Sequence, residues 1–285
     1  MRFVKMHGIG NDYIYIDCFQ QEVKAPEKLA PRMSDRHFGV GGDGLILIMP
    51  SQRADLRMRM FNADGSEAEM CGNGIRCVAK YAYDHHLVRK EEISVETLAG
   101  ILHLQLFPRA GKVERVRVNM GVPRLLGKEI PVQKGGEEPI IDQPLTVQER
   151  EFRITCVSMG NPHCVIFVGD TETFPVTGYG PQIEHHPFFP QRTNVEFVQV
   201  LSADAIRMRT WERGSGETLA CGTGACAATV ASILNGKTGP RITVHLRGGD
   251  LELEWGGEGE PVFMTGPATE VFSGEWPEEE TGEER

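Results

Sequence analysis

The chain repeats itself once, and that repeat limits the folds open to it more than any other feature. Cys71-Gly72-Asn73-Gly74 and Cys221-Gly222-Thr223-Gly224 lie 150 residues apart. Glu67 and Glu217, four residues before each cysteine, keep the same offset, as do Gly10-Asn11 and Gly160-Asn161. Beyond the cysteines the offset becomes 149: Cys77 pairs with Cys226, Ile93-Ser94-Val95 with Ile242-Thr243-Val244, and Ala99–Leu104 with Gly248–Leu253. One single-residue slip across so many anchors marks a duplicated domain. The period is far too long for a solenoid, whose units run ~20–50 residues. The boundary is expected near Pro123 to Lys128, giving an N-terminal domain over 1–122 and a C-terminal domain over 123–265.

Both copies carry the same local patterns. Tyr13–Ile16 and Cys164–Val168 are short β-rich runs just after the Gly-Asn turns. Leu45–Ile48 and Val195–Val198 are strand-like, and Leu102–Gln105 and Leu251–Glu254 alternate apolar with polar. After each Cys-Gly-x-Gly the period changes. Ile75, Val78, Ala79 and Ala82 recur at helical spacing, and Ala225, Ala228, Thr229 and Ser232 do so with smaller residues. Each copy is thus predicted to be mostly strand with one central helix, buried on most sides, and to carry its cysteine at that helix's N-terminus.

Charge narrows the partners. The chain has a net charge of −10, and half of it sits in Glu275–Arg285, which holds six Glu and one Arg. That segment reads as a solvated acidic tail, expected to be disordered. The rest is only mildly acidic, so no nucleic-acid footprint is present. No apolar run approaches the ~20 residues of a membrane span, and Met1–Gly8 lacks the apolar core of a signal peptide. A cytoplasmic location is expected. The seven cysteines are odd in number and contain no Cys-x-x-Cys pair, which argues against a disulfide framework and against common zinc signatures.

A cysteine at a helix N-terminus meets unpaired backbone N–H groups and roughly half a positive charge. The field there favours the thiolate, and the N–H groups can hold a carboxylate or phosphate. Two such units facing across a cleft would place a sulfur on each side of one α-carbon. One thiolate could then remove the α-proton while the opposite thiol returns one, inverting the centre. The bland readings stand beside this one. Cys18, Cys77, Cys156, Cys164 and Cys226 read as small buried hydrophobes. His163, in the turn Asn161-Pro162-His163, is either a satisfied structural histidine or a base partner of Cys71. Glu212 stands in the same relation to Cys221. Arg213 is either a surface residue or a fork for a substrate carboxylate.

Several motifs resemble the diaminopimelate epimerase family: Met6–Asp12, Asn62–Ser66, Met70–Cys77, Ser158–His163, Glu212–Thr218 and Ala220–Cys226, in the family's order from residue 1 to about 274. The resemblance implies an isomerase that interconverts LL- and meso-diaminopimelate in lysine and peptidoglycan-precursor synthesis, without pyridoxal phosphate or metal. It implies catalytic Cys71 and Cys221, supported by His163 and Glu212. Backbone groups of Gly72, Asn73, Gly222 and Thr223 would hold the reacting end. Asn62, Asn194 and Arg213 would read the distal end, with Asn11 and Asn161 also lining the pocket. The implied fold is a pair of α+β domains, each a mixed, largely antiparallel sheet around a central helix, with the last strand, about 266–274, joining the first domain. Members are typically homodimers. One departure stands out: some relatives place a substrate-contacting glutamine within the segment that reads Gly42-Asp43-Gly44 here, and Gly44 supplies no side-chain amide.

Two other readings remain open at this level. A proline or hydroxyproline racemase would share the paired cysteines but need a smaller, less polar pocket, and tends to have histidine where this chain has Asn73. A non-catalytic thiol sensor would use accessible low-pKa cysteines but would not need the duplicated anion-binding turn.

Overall fold

The structure is a computed structural model and describes residues 1–133 and 135–277. It contains two compact units: Met1–Val116 with the segment that begins at Pro267, and Arg117–Gly266. The chain changes unit partway along the strand Lys112–Asn119 rather than in the loop after it, ahead of the boundary expected at 122.

In the first unit the strand Arg2–Gly8 pairs antiparallel with Thr269–Glu275 on one side and Asn11–Asp17 on the other. The order continues through Gly44–Met49 (parallel to Asn11–Asp17), Leu56–Asn62, Glu92–Thr97 and Gly100–Arg109. Helix α1 (Pro26–Ser34) covers one face and helix α2 (Gly72–Asp84) the other. Strand parity assigns the faces. Ile14, Ile16, Leu45, Leu47 and Phe61 pack with Leu29, Ala30 and Met33 of α1. The opposite parity, including Ile46, looks toward α2. Cover on both faces is why Gly44–Met49 reads as an unbroken apolar run.

The second unit repeats the plan. Helix α3 (Val176–Glu184) packs on Val195 and Phe197, and helix α4 (Gly222–Leu234) lies against the other face. The residue offset survives in the pairing. Ile14 opposite Leu45 becomes Cys164 opposite Val195. Leu45 opposite Phe61 becomes Val195 opposite Trp211. Ile93 opposite Leu104 becomes Ile242 opposite Leu253. The architecture is therefore a duplicated α+β fold. It corrects the expectation of a single helix per copy, because α1 and α3 form a second, shorter pair. Each carries an internal proline, Pro31 and Pro181, again 150 residues apart. A proline inside a helix removes a hydrogen bond and blurs the sequence signal.

No helix among the described residues is long and apolar enough to cross a membrane. Glu275, placed with the acidic tail by the sequence, instead ends the strand Thr269–Glu275 opposite Arg2, and Trp276 donates its N–H to the Met1 carbonyl. Residues 278–285 of that tail lie outside the described residues.

Candidate active site

Each cysteine caps its helix. Cys71 is the N-cap of α2 and Cys221 that of α4; both have extended backbone, and their Sγ atoms accept the N–H of Gly74 at 3.3 Å and of Gly224 at 3.4 Å. A side-chain acceptor at N-cap satisfies one of the orphan donors of the first turn. The helices behind them are buried, with Ile75, Val78 and Ala79 in α2 and Ala225, Ala228 and Ala231 in α4 fully enclosed. Rigid packing of this kind fixes where each sulfur points.

In the first unit, Cys71 donates its S–H to Asn11 Oδ1 at 3.3 Å. Asn11 Nδ2 in turn donates to Asp43 Oδ2 at 2.7 Å, which orients the amide. Asp43 also accepts from Arg36, and Arg36 binds Asp12 through both terminal nitrogens. Lys5 completes the cluster on Asp12 and the Gly41 carbonyl. Tyr13 reaches both Asn11 and Cys71, and burial, followed by the Cys71 and Asp43 charges, pushes its phenol well up. Asn62 sits at a strand end and donates to Ser66 Oγ. Gly72 and Asn73 form the buried first turn of α2.

The second unit brings together a histidine and two glutamates. His163 Nδ1 lies 2.8 Å from Glu196 Oε1, and both side chains are 0% exposed. His163 Nε2 lies 3.0 Å from Asn161 Oδ1, and Asn161 Nδ2 donates to Thr223 Oγ1. Glu212 accepts from Thr218 Oγ1 at 2.5 Å and is hydrogen-bonded to Cys221. Asn194 is buried; its Nδ2 donates to the Pro162 carbonyl and its Oδ1 accepts the Arg213 N–H. It therefore holds the backbone under Arg213, whose exposed side chain donates to the Gln191 carbonyl. Gly222 and Thr223 form the first turn of α4.

The expectation that the helix end favours the thiolate is corrected at Cys221. Burial is the largest influence and pushes this thiol well up. The Glu212 and Glu196 carboxylates push the same way, while the Thr223 hydroxyl and the Gly224 N–H only partly oppose them. Burial likewise raises the Glu212 carboxyl above its ordinary range. Cys221 is thus held as the thiol, hydrogen-bonded to a carboxyl group that burial makes more basic. The remaining cysteines fit the bland reading. Burial raises Cys18 and Cys77 to about 11, and Cys156 and Cys164 oppose each other across two buried strands.

The sequence reading missed Tyr13, Asp43 and Glu196. Each lies in an apolar strand or a glycine-rich turn, where a period of two was the only signal. Gly44 is now explained. A Cβ there would lie 2.1 Å from the Phe61 carbonyl oxygen and 3.0 Å from the Tyr13 ring. Backbone cannot yield as a side-chain tip can, so no glutamine fits without moving the neighbouring strand. Gly44→Ala is expected to cost about 1–3 kcal/mol in a denaturant titration, and an unchanged midpoint would contradict this account.

Comparison with known proteins agrees with the duplicated plan. The sequence profile described as "Diaminopimelate epimerase" matches residues 3–126 and 155–271. The chain is 59% identical over 280 residues to a diaminopimelate epimerase of Pelotomaculum thermopropionicum, covering 97% of this chain and 99% of the relative. It is 56% identical over 275 residues to one of Acetivibrio thermocellus, covering 96% and 98%. Among solved structures it is similar to a probable proline racemase from Agrobacterium radiobacter, at a TM-score of 0.72 and 18% identity over 99% of this chain and 94% of that one. A Bacillus anthracis protein of the PhzF family gives a TM-score of 0.69 at 16% identity, over 96% and 97%. At such identities the structural likeness speaks for the fold alone.

Proposed function

The chain belongs to the diaminopimelate epimerase family, and we propose that it interconverts LL- and meso-diaminopimelate with two thiols, Cys71 and Cys221, acting on opposite faces of one α-carbon. The observation that carries this reading is the repeated cap. Each half sets a cysteine sulfur on the first-turn N–H of a rigid, buried helix, with its own polar partners.

The reaction is isomerisation with no net redox change. From the LL side, Glu212 takes the Cys221 proton and frees the thiolate. The thiolate removes the α-proton: C–H breaks, S–H forms, and the electron pair moves onto the substrate carboxylate. That charge is met by the first-turn N–H groups of Gly72, Asn73, Gly222 and Thr223 and by the helix ends behind them. Cys71 then delivers its proton to the other face, and His163 serves Cys71 as Glu212 serves Cys221. In this reading Asn62, Asn194 and Arg213 read the distal amino-acid end, and Asn11 and Asn161 line the pocket. A site built for polar ends rejects analogues that lack them, because its own groups are left unpaired. No pyridoxal phosphate or metal takes part. The partner is a small molecule, with no role for nucleic acid or membrane, and the working form is a cytoplasmic homodimer in lysine synthesis.

The test offers LL-diaminopimelate and L-proline separately in D2O. Inversion of the first, with deuterium entering at the α-carbon, is expected. Turnover of proline alone would overturn the substrate and favour the racemase alternative.

A further inference from the structure

We propose that Glu196 is a positioning residue, the buried counter-charge that lets His163 take and return a proton; this rests on the reading in which His163 serves Cys71. Position 196 stands 150 residues after Ile46, on the equivalent strand. The two residues fill the same place. A Cβ on Gly74 would meet Ile46 Cδ1 at 2.7 Å, and a Cβ on Gly224 would meet Glu196 Oε1 at 2.7 Å. The fold itself therefore accepts isoleucine here. His163 in turn stands where the first half has Tyr13. One half thus carries a histidine–glutamate dyad where the other carries tyrosine and isoleucine.

The dyad is costly to hold. Glu196 is 0% exposed, and its Oε2 has no hydrogen-bond partner. A buried carboxylate in that condition destabilises a fold that does not need it. Its surroundings do not help, since the Glu212 carboxylate lies close and the Cys221 and Cys164 thiols beside it are neutral. What Glu196 provides is a fixed acceptor at His163 Nδ1. When His163 acts as a base, a thiol S–H bond breaks with its electron pair left on sulfur, and an N–H forms at His163 Nε2. The Nδ1–H stays on Glu196, and the new Nε2–H finds Asn161 Oδ1 at 3.0 Å. The dyad passes from one negative charge to none, so no lone cation is created in a dry interior.

Two variants separate charge from packing. Glu196→Gln keeps the shape and an acceptor oxygen but removes the charge. Glu196→Ile copies the residue of the first half. Each is expected to lower kcat tenfold to a hundredfold with KM held within twofold, the split expected of a group that acts on the proton transfer rather than on binding. A proton spectrum of the resting enzyme, with its histidines labelled with ¹⁵N, should show a hydrogen-bonded Nδ1 proton of His163 far downfield that Glu196→Ile removes. The proposal is overturned by a kcat within twofold of wild type in Glu196→Gln, by a rise in KM at unchanged kcat, or by a wild-type spectrum lacking that proton. If Glu196→Ile does not fold, the Gln variant decides. The resonance is read without substrate, so it stands apart from whether diaminopimelate turns over.

Discussion

Cys221→Ala is expected to abolish inversion at the α-carbon while leaving a folded protein. The side chain removed is small. Its structural role is one cap on α4, and losing such a cap costs ~1 kcal/mol, which a buried helix lined by Ala225, Ala228 and Ala231 can bear. The chemical role has no substitute. A positioned acid or base contributes typically ~10²–10⁴-fold, and inversion needs one on each face, so turnover should fall by at least that factor. The variant should still betray the surviving base. If Cys221 takes the proton from the LL form and Cys71 from the meso form, Cys221→Ala in D2O should exchange the α-hydrogen of meso-diaminopimelate without inverting it, and leave the LL isomer untouched. Cys71→Ala should show the mirror pattern. Near-normal inversion by either variant would sink the two-thiol scheme. Exchange of both isomers by one variant would mean that a single group reaches both faces.

The duplication was legible because it is written in the chain as paired landmarks, and it proved to govern strand register as well as motif order. The capping cysteines were legible for the same reason: Cys-Gly-x-Gly ahead of a helical period is a local signal, and helix ends are local structures. What escaped was non-local. Glu196 sits in Val195–Val198, which reads as a plain buried strand; only folding shows that this one carboxylate lies beneath Gly224 and against His163. Asp43 acts through Asn11, more than thirty residues away in sequence. The shift at Cys221 was misjudged because a helix end was the one influence visible in sequence. Desolvation and two carboxylates from separate strands outweigh it. The helices α1 and α3 were hidden by Pro31 and Pro181, which read as breakers although packing on the sheet holds both helices.

Glu212→Gln should make the protein more stable and nearly inactive, and the two effects should separate by pH. Burial raises this carboxyl above the 4.5 of an ordinary glutamate. A group whose pKa is higher folded than unfolded stabilises the fold below the unfolded value and loses that contribution as pH rises through the folded value. At neutral pH the ionised Glu212 is therefore a cost that glutamine avoids, while Thr218 can still donate to the amide oxygen. Tm should rise at pH 7, and the gain should vanish below about pH 4.5, where wild type is protonated too. Activity moves the other way. Losing the carboxylate removes a charge that holds Cys221 up, so the thiol becomes somewhat more acidic, but burial still keeps it protonated and its proton has no acceptor. Turnover from LL-diaminopimelate should fall at least ~10²-fold. A variant that is both less stable at neutral pH and fully active would show that Glu212 is a structural ion and that Cys221 finds its thiolate by another route.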